Sequence, residues 1–192
     1  MNRELKKEQT RIRIQDAAYS LFSEQGYEHT TIEQVARLAG VAKGTFFNYF
    51  ASKEDLIHEL QGVFVMTEIA KLKAKPGPLI PRLRMLIFQM VQQFPLNKSL
   101  TRAMFQADLA GGAALVKHNC MVEEMLEVIV PTIVLGQESG ELRQDMPAAM
   151  MGRLALQTYF GTLVMWSMSD DDEPIDEQMA LTFDLFFKGI AG

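Results

Sequence analysis

Apolar residues recur every three or four positions along most of the chain, and the strict alternation that marks a half-buried strand is absent. This period predicts an amphipathic helix over residues 8–25, which Gly26 ends. It predicts further helices over residues 52–73, 79–93, 98–109, 114–138, 147–168 and 174–189. The boundaries coincide with helix-breaking residues, namely Pro76-Gly77-Pro78, Pro95, Gly111-Gly112, Gly140, Pro147 and Pro174. The pattern therefore predicts an all-α fold.

Residues 30–50 contain two short helical segments joined by a tight turn. Two threonines each precede an acidic or amide residue by three positions, so either Thr30–Glu33 or Thr31–Gln34 would form a capping box at the start of the first helix. Gly40 then stands where a residue with positive φ would end that helix. Two short helices, a three-residue turn and a polar outer face on the second helix predict a helix-turn-helix, a motif that binds DNA.

The second helix of this motif carries the side chains that would face a DNA groove. Lys43 and Gly44 begin it, where a side chain reaches a base edge or phosphate and the backbone approaches closely. Tyr49 and Lys53 are expected at phosphates, which position the helix without reading sequence. Phe46 or Phe47, together with Phe50, would point inward. The full set of expected DNA contacts is Thr31, Lys43, Gly44, Thr45, Phe47, Asn48, Tyr49 and Lys53.

Residues 40–56, which read GVAKGTFFNYFASKEDL, resemble the recognition-helix signature of the tetracycline-repressor (TetR) family of bacterial regulators. Residues 14–27 are similar to the first helix of that family. The resemblance implies a three-helix DNA-binding domain at residues 1–52 and a larger helical domain, at residues 53–192, for effector binding and dimerisation. It also implies a repressor that binds a palindromic operator as a homodimer and is released by a small molecule.

Two residues depart from the family pattern. Ala42 stands where the family often has a serine that caps the recognition helix, and alanine cannot accept that N–H bond. Phe47 stands where the family often has a tyrosine whose hydroxyl reaches a phosphate. Both departures concern individual contacts, and the expected fold is unchanged by them.

The later helices are rich in methionine, a flexible and polarisable residue that suits irregular apolar pockets. Of 13 methionines, only Met1 precedes residue 60. Two interpretations stay open, ordinary core filling and a pocket for an apolar or aromatic effector. His118 and Asn119 are a polar anchor in the second interpretation, whereas His118 is otherwise an exposed or helix-capping residue. The candidate pocket residues are Phe64, Met85, Phe88, Met104, Phe105, His118, Met121, Met125, Tyr159 and Trp166.

The last two helices carry faces suited to a subunit interface. A single helix-turn-helix reads few base pairs, and two-fold dimers place two recognition helices in successive major grooves, about 34 Å apart. Burial inside one subunit is the alternative for each face, and the resemblance favours the dimer. The residues concerned are Leu154, Thr158, Gly161, Thr162 and Met165 in the first helix and Phe183, Phe186, Phe187 and Ile190 in the second.

Charge and cysteine content are compatible with a cytoplasmic DNA-binding protein. The net charge of −5 is unevenly distributed: residues 1–53 hold eight Lys/Arg against six acids, and the remainder holds 11 against 18. The first part is therefore weakly basic, as phosphate attraction requires locally. Cys120 is the single cysteine, which excludes an internal disulfide. The first residues lack the apolar segment of a signal peptide, and no apolar run is long enough to span a bilayer.

Enzymatic function, a metal and a cofactor are not expected. His29, His58 and His118 lie far apart and have no neighbouring ligands at metal-binding spacing. The glycines lack the lysine and spacing of a phosphate-binding loop. The competing interpretation is a non-catalytic helical adaptor or ligand-binding protein whose DNA motif has degenerated at Ala42 and Phe47. Salt-dependent binding to a palindromic duplex distinguishes a regulator from such an adaptor.

Overall fold

The computed structural model describes residues 3–74, 77–93 and 97–192. Helices account for most of this part, and its isolated antiparallel bridge joins Leu142 to Ala191. In chain order the helices are α1 (Arg3–Gln25), α2 (Ile32–Leu38), α3 (Lys43–Phe47), α4 (Lys53–Ala74), α5 (Leu79–Gln93), α6 (Lys98–Leu109), α7 (Gly112–Glu138), α8 (Ala148–Met168) and α9 (Ile175–Ile190).

The predicted all-α fold is confirmed, and most predicted helix boundaries agree with the structure within two residues. The start of α1 differs, because the helix begins at Arg3 and not at residue 8. The side chains of residues 3–9 are exposed, so the apolar period that marks the rest of α1 is missing there. Pro76 and Pro95, which the sequence suggested as helix breakers, lie outside the described residues.

The chain divides into two compact units, Met1–Gln61 and Gly62–Gly192. The division falls within α4, whose residues contribute to both units. The domain boundary expected between residues 52 and 53 stays a prediction, since it concerns function and the compact units reflect packing.

The first unit is held together by a small aromatic and aliphatic core. Phe46 and Phe50 are buried, with ring centroids 5.7 Å apart. An ion pair between Arg11 of α1 and Glu59 of α4 lies at the edge of this unit, and Gln15 donates to the same carboxylate at 2.8 Å. Burial of the apolar side chains is the main stabilising contribution. The other core members are Ile14, Ala17, Ala18, Phe22, Tyr27, Val35, Ala36, Ala39, Leu56, Ile57 and Leu60.

The second unit packs α5 to α9 around a larger core, in which α8 contacts α6, α7 and α9, and α5 contacts α9. Phe183, Phe187 and Ile190 of α9 are buried in this core, and Phe186 packs against it partly buried. The expectation that Phe183, Phe187 and Ile190 form the α9 part of a subunit interface is therefore wrong, whereas for the partly buried Phe186 it stays a prediction. The reason is periodicity: the same spacing serves an internal face, and sequence alone does not tell which side of an apolar helix meets its own subunit.

Candidate nucleic-acid interface and ligand pockets

The turn between α2 and α3 has the geometry expected from its sequence. Thr31 is the N-cap of α2: its hydroxyl accepts from the backbone N–H of Gln34, and the Gln34 side chain accepts from the Thr31 N–H at 2.7 Å. The predicted Thr31–Gln34 capping box is therefore confirmed. Thr30 is buried instead, and its hydroxyl donates to the Gly26 carbonyl at 2.8 Å. Gly40 has a φ of +68°, a left-handed conformation that glycine adopts at little cost.

The outer face of α3 presents a mixed polar and aromatic surface to solvent. Lys43, Gly44 and Asn48 are exposed, and Thr45 and Tyr49 are partly exposed. Phe47 is 45% exposed, because α3 turns Phe46 inward and leaves its neighbour outside. The structure thus selects Phe46 from the two inward candidates. The expected DNA contacts in α3 and directly after it are therefore all at least partly accessible to solvent.

The N-terminus of α3 has no side-chain cap. Ala42 occupies the N-cap position in extended conformation, and the backbone N–H groups of Thr45 and Phe46 donate to its carbonyl oxygen. Lys43 forms an ion pair with Glu33 of α2, and this hydrogen bond lowers the pKa of the Glu33 carboxyl group. Both side chains of the pair are more than half exposed, so the pair contributes little to stability and leaves Lys43 accessible to another anion.

Lys53 is placed differently from the other expected DNA contacts. Its ammonium group donates to the backbone carbonyls of Tyr27 at 2.8 Å and Thr30 at 3.0 Å. The same nitrogen lies 3.9 Å from the centroid of the Tyr27 ring, within the range of a cation–π interaction. Burial lowers the pKa of Lys53, and the nearby carboxylates of Glu28 and Glu54 act in the opposite direction. Lys53 therefore ties the start of α4 to the segment between α1 and α2.

A second contact strengthens this connection. The buried Tyr27 hydroxyl donates to Glu54 at 2.7 Å, and burial raises the pKa of the tyrosine. Burial would also raise the pKa of Glu54, but its hydrogen bonds, foremost the one from Tyr27, lower it overall. We name Tyr27, Lys53 and Glu54 the α4 clasp. The sequence offers only the Lys-Glu pair at the start of α4 as a sign of these contacts. That pair does not predict contact with a tyrosine 26 residues before Lys53.

The ten residues expected to bind a ligand lie in different surroundings in the part of the chain that the structure describes. Met104, Met125, Tyr159 and Trp166 are buried in the second unit, and Phe64 and Met121 pack against its core partly buried. The remaining four divide between two surface cavities, which we call the α6–α8 pocket and the α5–α9 groove. Phe105 and His118 line the first, and Met85 and Phe88 line the second.

The α6–α8 pocket has a volume of about 1020 Å³ and is formed by α6, α7 and α8. Three rings lie side by side in its wall: the Phe160 centroid is 5.2 Å from His118 and 6.3 Å from Phe105. Aliphatic side chains and a few polar groups complete it. The lining residues are Ser99, Arg102, Ala103, Phe105, Gln106, Asp108, Leu109, Leu115, His118, Asn119, Phe160, Val164, Ser167 and Met168.

The polar groups of the α6–α8 pocket are held in fixed positions. His118 Nδ1 lies 3.0 Å from a carboxylate oxygen of the buried Asp108, which orients the imidazole and leaves Nε2 as the ring nitrogen for another partner. Arg102 donates to the Ser167 carbonyl at 2.5 Å, which holds the guanidinium at the pocket wall. Polar groups placed among aromatic and aliphatic side chains are typical of small-molecule sites. Sequence reasoning missed Arg102 and Phe160, because neither belongs to a recognisable motif.

The α5–α9 groove is smaller and almost wholly apolar. Its volume is about 380 Å³, and Met85 and Phe88 of α5 face it while about half exposed. An ion pair between Arg84 and Asp184, at 3.0 Å, lies along its edge. No polar side chain is oriented by a buried partner in this groove as His118 is in the α6–α8 pocket. The groove therefore offers apolar contact with little basis for specificity.

Exposed apolar residues remain on α8 and α9 after the core is accounted for. Met165 is 69% exposed, Leu181 65% and Leu185 63%, and Gly161 is exposed with open space beside it. Leu154 is 37% exposed. Large apolar side chains in repeated exposed positions are typical of protein–protein interfaces.

Searches for metal-binding and membrane-spanning features were negative within the described ranges. No group of three or more His, Cys, Asp or Glu side chains there is arranged to hold a metal ion. None of the helices formed by these residues combines the length and the apolar character needed to cross a bilayer.

Comparisons with known proteins bear on both units. The sequence profile of bacterial regulatory proteins of the tetR family matches residues 14–60. The fatty acid metabolism regulator protein of Bacillus subtilis is 27% identical over 191 residues, covering 93% of this chain and 94% of that protein. The HTH-type transcriptional repressor DhaR of a Mycobacterium species is 22% identical over 170 residues, covering 85% of each.

A solved structure resembles the whole fold. The transcriptional repressor FadR of Thermus thermophilus, determined in complex with lauroyl-CoA, superposes with a TM-score of 0.67 at 27% identity. The match covers 93% of this chain and 94% of that protein.

Proposed function

Since the chain belongs to the tetR family of bacterial regulatory proteins, it is a DNA-binding transcriptional regulator, and we propose that it represses its target genes as a homodimer released by an acyl-chain effector. Regulators of this kind act on the chromosome, which places this one in the cytoplasm. The family consists of non-catalytic regulators, in agreement with the sequence-based expectation that the chain is not an enzyme.

The DNA contacts are assigned to the outer face of α3. Lys43, Asn48 and Tyr49 supply charge and hydrogen-bonding groups, and the exposed ring of Phe47 supplies apolar contact of the kind made with thymine methyl groups. Thr31, Gly44 and Thr45 complete the surface. This accessible surface, whose residues 43–49 include no acidic side chain, is the observation that favours a working DNA interface over a degenerate one. Lys53 is assigned a structural role in the α4 clasp in place of a phosphate contact.

The subunit interface is assigned to α8 and α9. Met165, Leu181 and Leu185 are each more than 60% exposed on these helices, and Gly161 allows close approach of a second helix. Burying such residues against a second copy removes them from water and pairs two recognition helices on a palindromic operator.

The effector is assigned to the α6–α8 pocket. Its volume lies at the upper end of the range for small-molecule sites, about 300–1,000 Å³, and exceeds that of the α5–α9 groove. The ring cluster around Phe160 suits an apolar chain, while Arg102, His118 and Asn119 suit a polar or anionic head group. Lauroyl-CoA, the ligand of the Thermus relative, combines these two features.

The effector releases the protein from DNA if it binds the DNA-free state more tightly than the DNA-bound state. A ligand shifts an equilibrium only by its difference in affinity for the two states. Helix α4 contributes residues to both units. A conformational change in its C-terminal part can therefore be transmitted along the helix to the α4 clasp at its N-terminal end. Lauroyl-CoA is then expected to lower operator affinity, and the operator to lower lauroyl-CoA affinity by the same factor.

Two alanines provide a matched test of the pocket assignment. Ala103 lines the α6–α8 pocket and Ala180 lines the α5–α9 groove. In A103W the indole projects into the pocket, whereas A180W places the same side chain in the groove. We expect calorimetric titration with lauroyl-CoA to show at least tenfold weaker binding to A103W and unchanged binding to A180W.

The opposite order of effects would move the effector site to the groove. Wild-type protein that binds lauroyl-CoA no better than free coenzyme A would contradict an acyl-chain effector. Circular dichroism of both variants shows whether the helices persist, so a folding defect is recognised separately from a filled pocket.

A further inference from the structure

The first three turns of α1 separate their charges onto two faces. Arg3, Lys6, Lys7, Thr10 and Arg13 lie within an arc of about 120° around the helix axis, and each of the cations is exposed. We call these five residues the basic face. No acidic residue shares it between positions 3 and 13.

The acids of this segment lie on a different side. Glu4, Glu8, Arg11 and Gln15 form a second row at helical spacing. Arg11 and Gln15 of this row contact Glu59 of α4, so the row faces the body of the first unit. The packing of α1 against α4 thus fixes which side of the helix is left for a partner, and that side carries the cations.

The basic face is continuous with the helix-turn-helix. Arg13 Nη1 lies 3.8 Å from the position that a Cβ on Gly40 would occupy, and Gly40 is the turn between α2 and α3. Lys6, Thr10 and Arg13 also line a surface depression of about 600 Å³ that contains no acidic side chain. Hydrogen bonds along the helix order the polar groups, since Arg13 donates to the Thr10 hydroxyl at 3.4 Å.

We propose that the basic face of α1 binds the DNA backbone beside the base pairs that α3 contacts, extending the operator footprint. This inference rests on the proposed DNA-binding function. The ten steps of helix from Arg3 to Arg13 span about 15 Å, a length of duplex axis over which one strand carries roughly four phosphates. The matched family segment begins at residue 14, so these contacts lie outside the part of α1 that the family profile describes.

The test combines a variant with duplexes of two lengths. Lys6→Ala/Lys7→Ala removes two exposed cations from each subunit, and Lys117→Ala removes an exposed cation from α7 as the control. Fluorescence anisotropy is measured on the shortest upstream duplex that wild-type protein binds and on the same duplex lengthened by about five base pairs at each end.

We expect wild-type protein and Lys117→Ala to bind the longer duplex about tenfold more tightly than the shorter one. Lys6→Ala/Lys7→Ala should lose this gain and lower the salt slope on the longer duplex by about 0.9 for each phosphate contact removed. Equal weakening on both lengths would overturn the proposal, because it would indicate a general charge effect. Wild-type protein that discriminates no upstream duplex from random DNA would instead contradict the proposed function itself.

Discussion

The two units of this protein distribute their functional residues along the chain in opposite ways. The residues that we propose as DNA contacts in the first unit, apart from Thr31, fall within residues 43–49 and lie on one short helix and the two residues that follow it. The α6–α8 pocket of the second unit takes residues from positions 99 to 168, on three helices. A local site is encoded by a motif, whereas a pocket is encoded by how long helices pack. Substitutions should therefore act through neighbours in sequence in the first unit and through neighbours in space in the second.

The largest effect is expected from two adjacent phenylalanines in the first unit. Phe46→Ala deletes a buried ring and should lower the free energy of unfolding by about 3–5 kcal/mol. Phe47→Ala truncates a half-exposed ring and should leave stability within about 0.5 kcal/mol while weakening operator binding. Urea denaturation and anisotropy separate the two. Similar unfolding midpoints for both variants would show that local position in α3 does not decide their roles.

The proposed subunit interface lies on the exposed apolar surface of α8 and α9 in the second unit. Leu181→Glu/Leu185→Glu should shift the protein to monomers and weaken operator binding by at least about 100-fold, since paired half-sites are then bound independently. Leu109→Glu changes a leucine that is 88% exposed on α6 and should leave the dimer intact. Sedimentation velocity measures the outcome. A wild-type protein that sediments as a monomer at micromolar concentration would contradict the interface.

Lys43 and Lys53 of the first unit differ in their contacts, so we expect their substitution to have different effects. Lys53→Ala removes two hydrogen bonds and a cation–π contact and should lower stability by about 1–2 kcal/mol. Lys43→Ala should leave stability nearly unchanged, because its ion pair is exposed, and should lower both affinity and salt slope. A Lys53→Ala variant of normal stability with a reduced salt slope would restore the phosphate contact expected from the sequence.

The smallest effect is a pH dependence of the α4 clasp. The folded-state pKa of Glu54 is lowered, so its contribution is complete above its ordinary value of 4.5 and is lost as the pH falls through the folded-state value. Tyr27→Phe removes a hydrogen bond worth about 1 kcal/mol at neutral pH, and the difference from wild type should shrink below pH 4.5. Urea denaturation at several pH values tests this, and a difference independent of pH would exclude Glu54 as the titrating partner.

Features that depend on residues close together in sequence could be predicted, whereas features that depend on how distant helices pack could not. The helices, the Thr31 capping box and the turn at Gly40 were predictable because each depends on residues at most four positions apart. The choice between Phe46 and Phe47 was not, because a five-residue helix gives too little periodicity to fix its rotation.

The pattern of apolar and polar residues did not predict contacts between residues far apart in the chain. Lys53 reaches back to Tyr27 and Thr30, and no spacing rule joins the start of α4 to those carbonyls. Methionine and aromatic content suggested one pocket, but packing buried Met104 and Met125 and turned Met85 and Phe88 toward a separate groove. Composition shows that apolar residues are available, and only the packed helices decide which of them a ligand could contact.

The most direct test of the account is an anisotropy titration of the upstream intergenic DNA of its own gene at two salt concentrations, with and without lauroyl-CoA. We expect tight, salt-sensitive binding that exceeds binding to a scrambled duplex, is weaker in Lys43→Ala, and decreases when lauroyl-CoA is added to wild-type protein but not to A103W. Equal binding to the upstream and scrambled duplexes, unaffected by lauroyl-CoA, would contradict a regulator that reads DNA with one unit and an effector with the other.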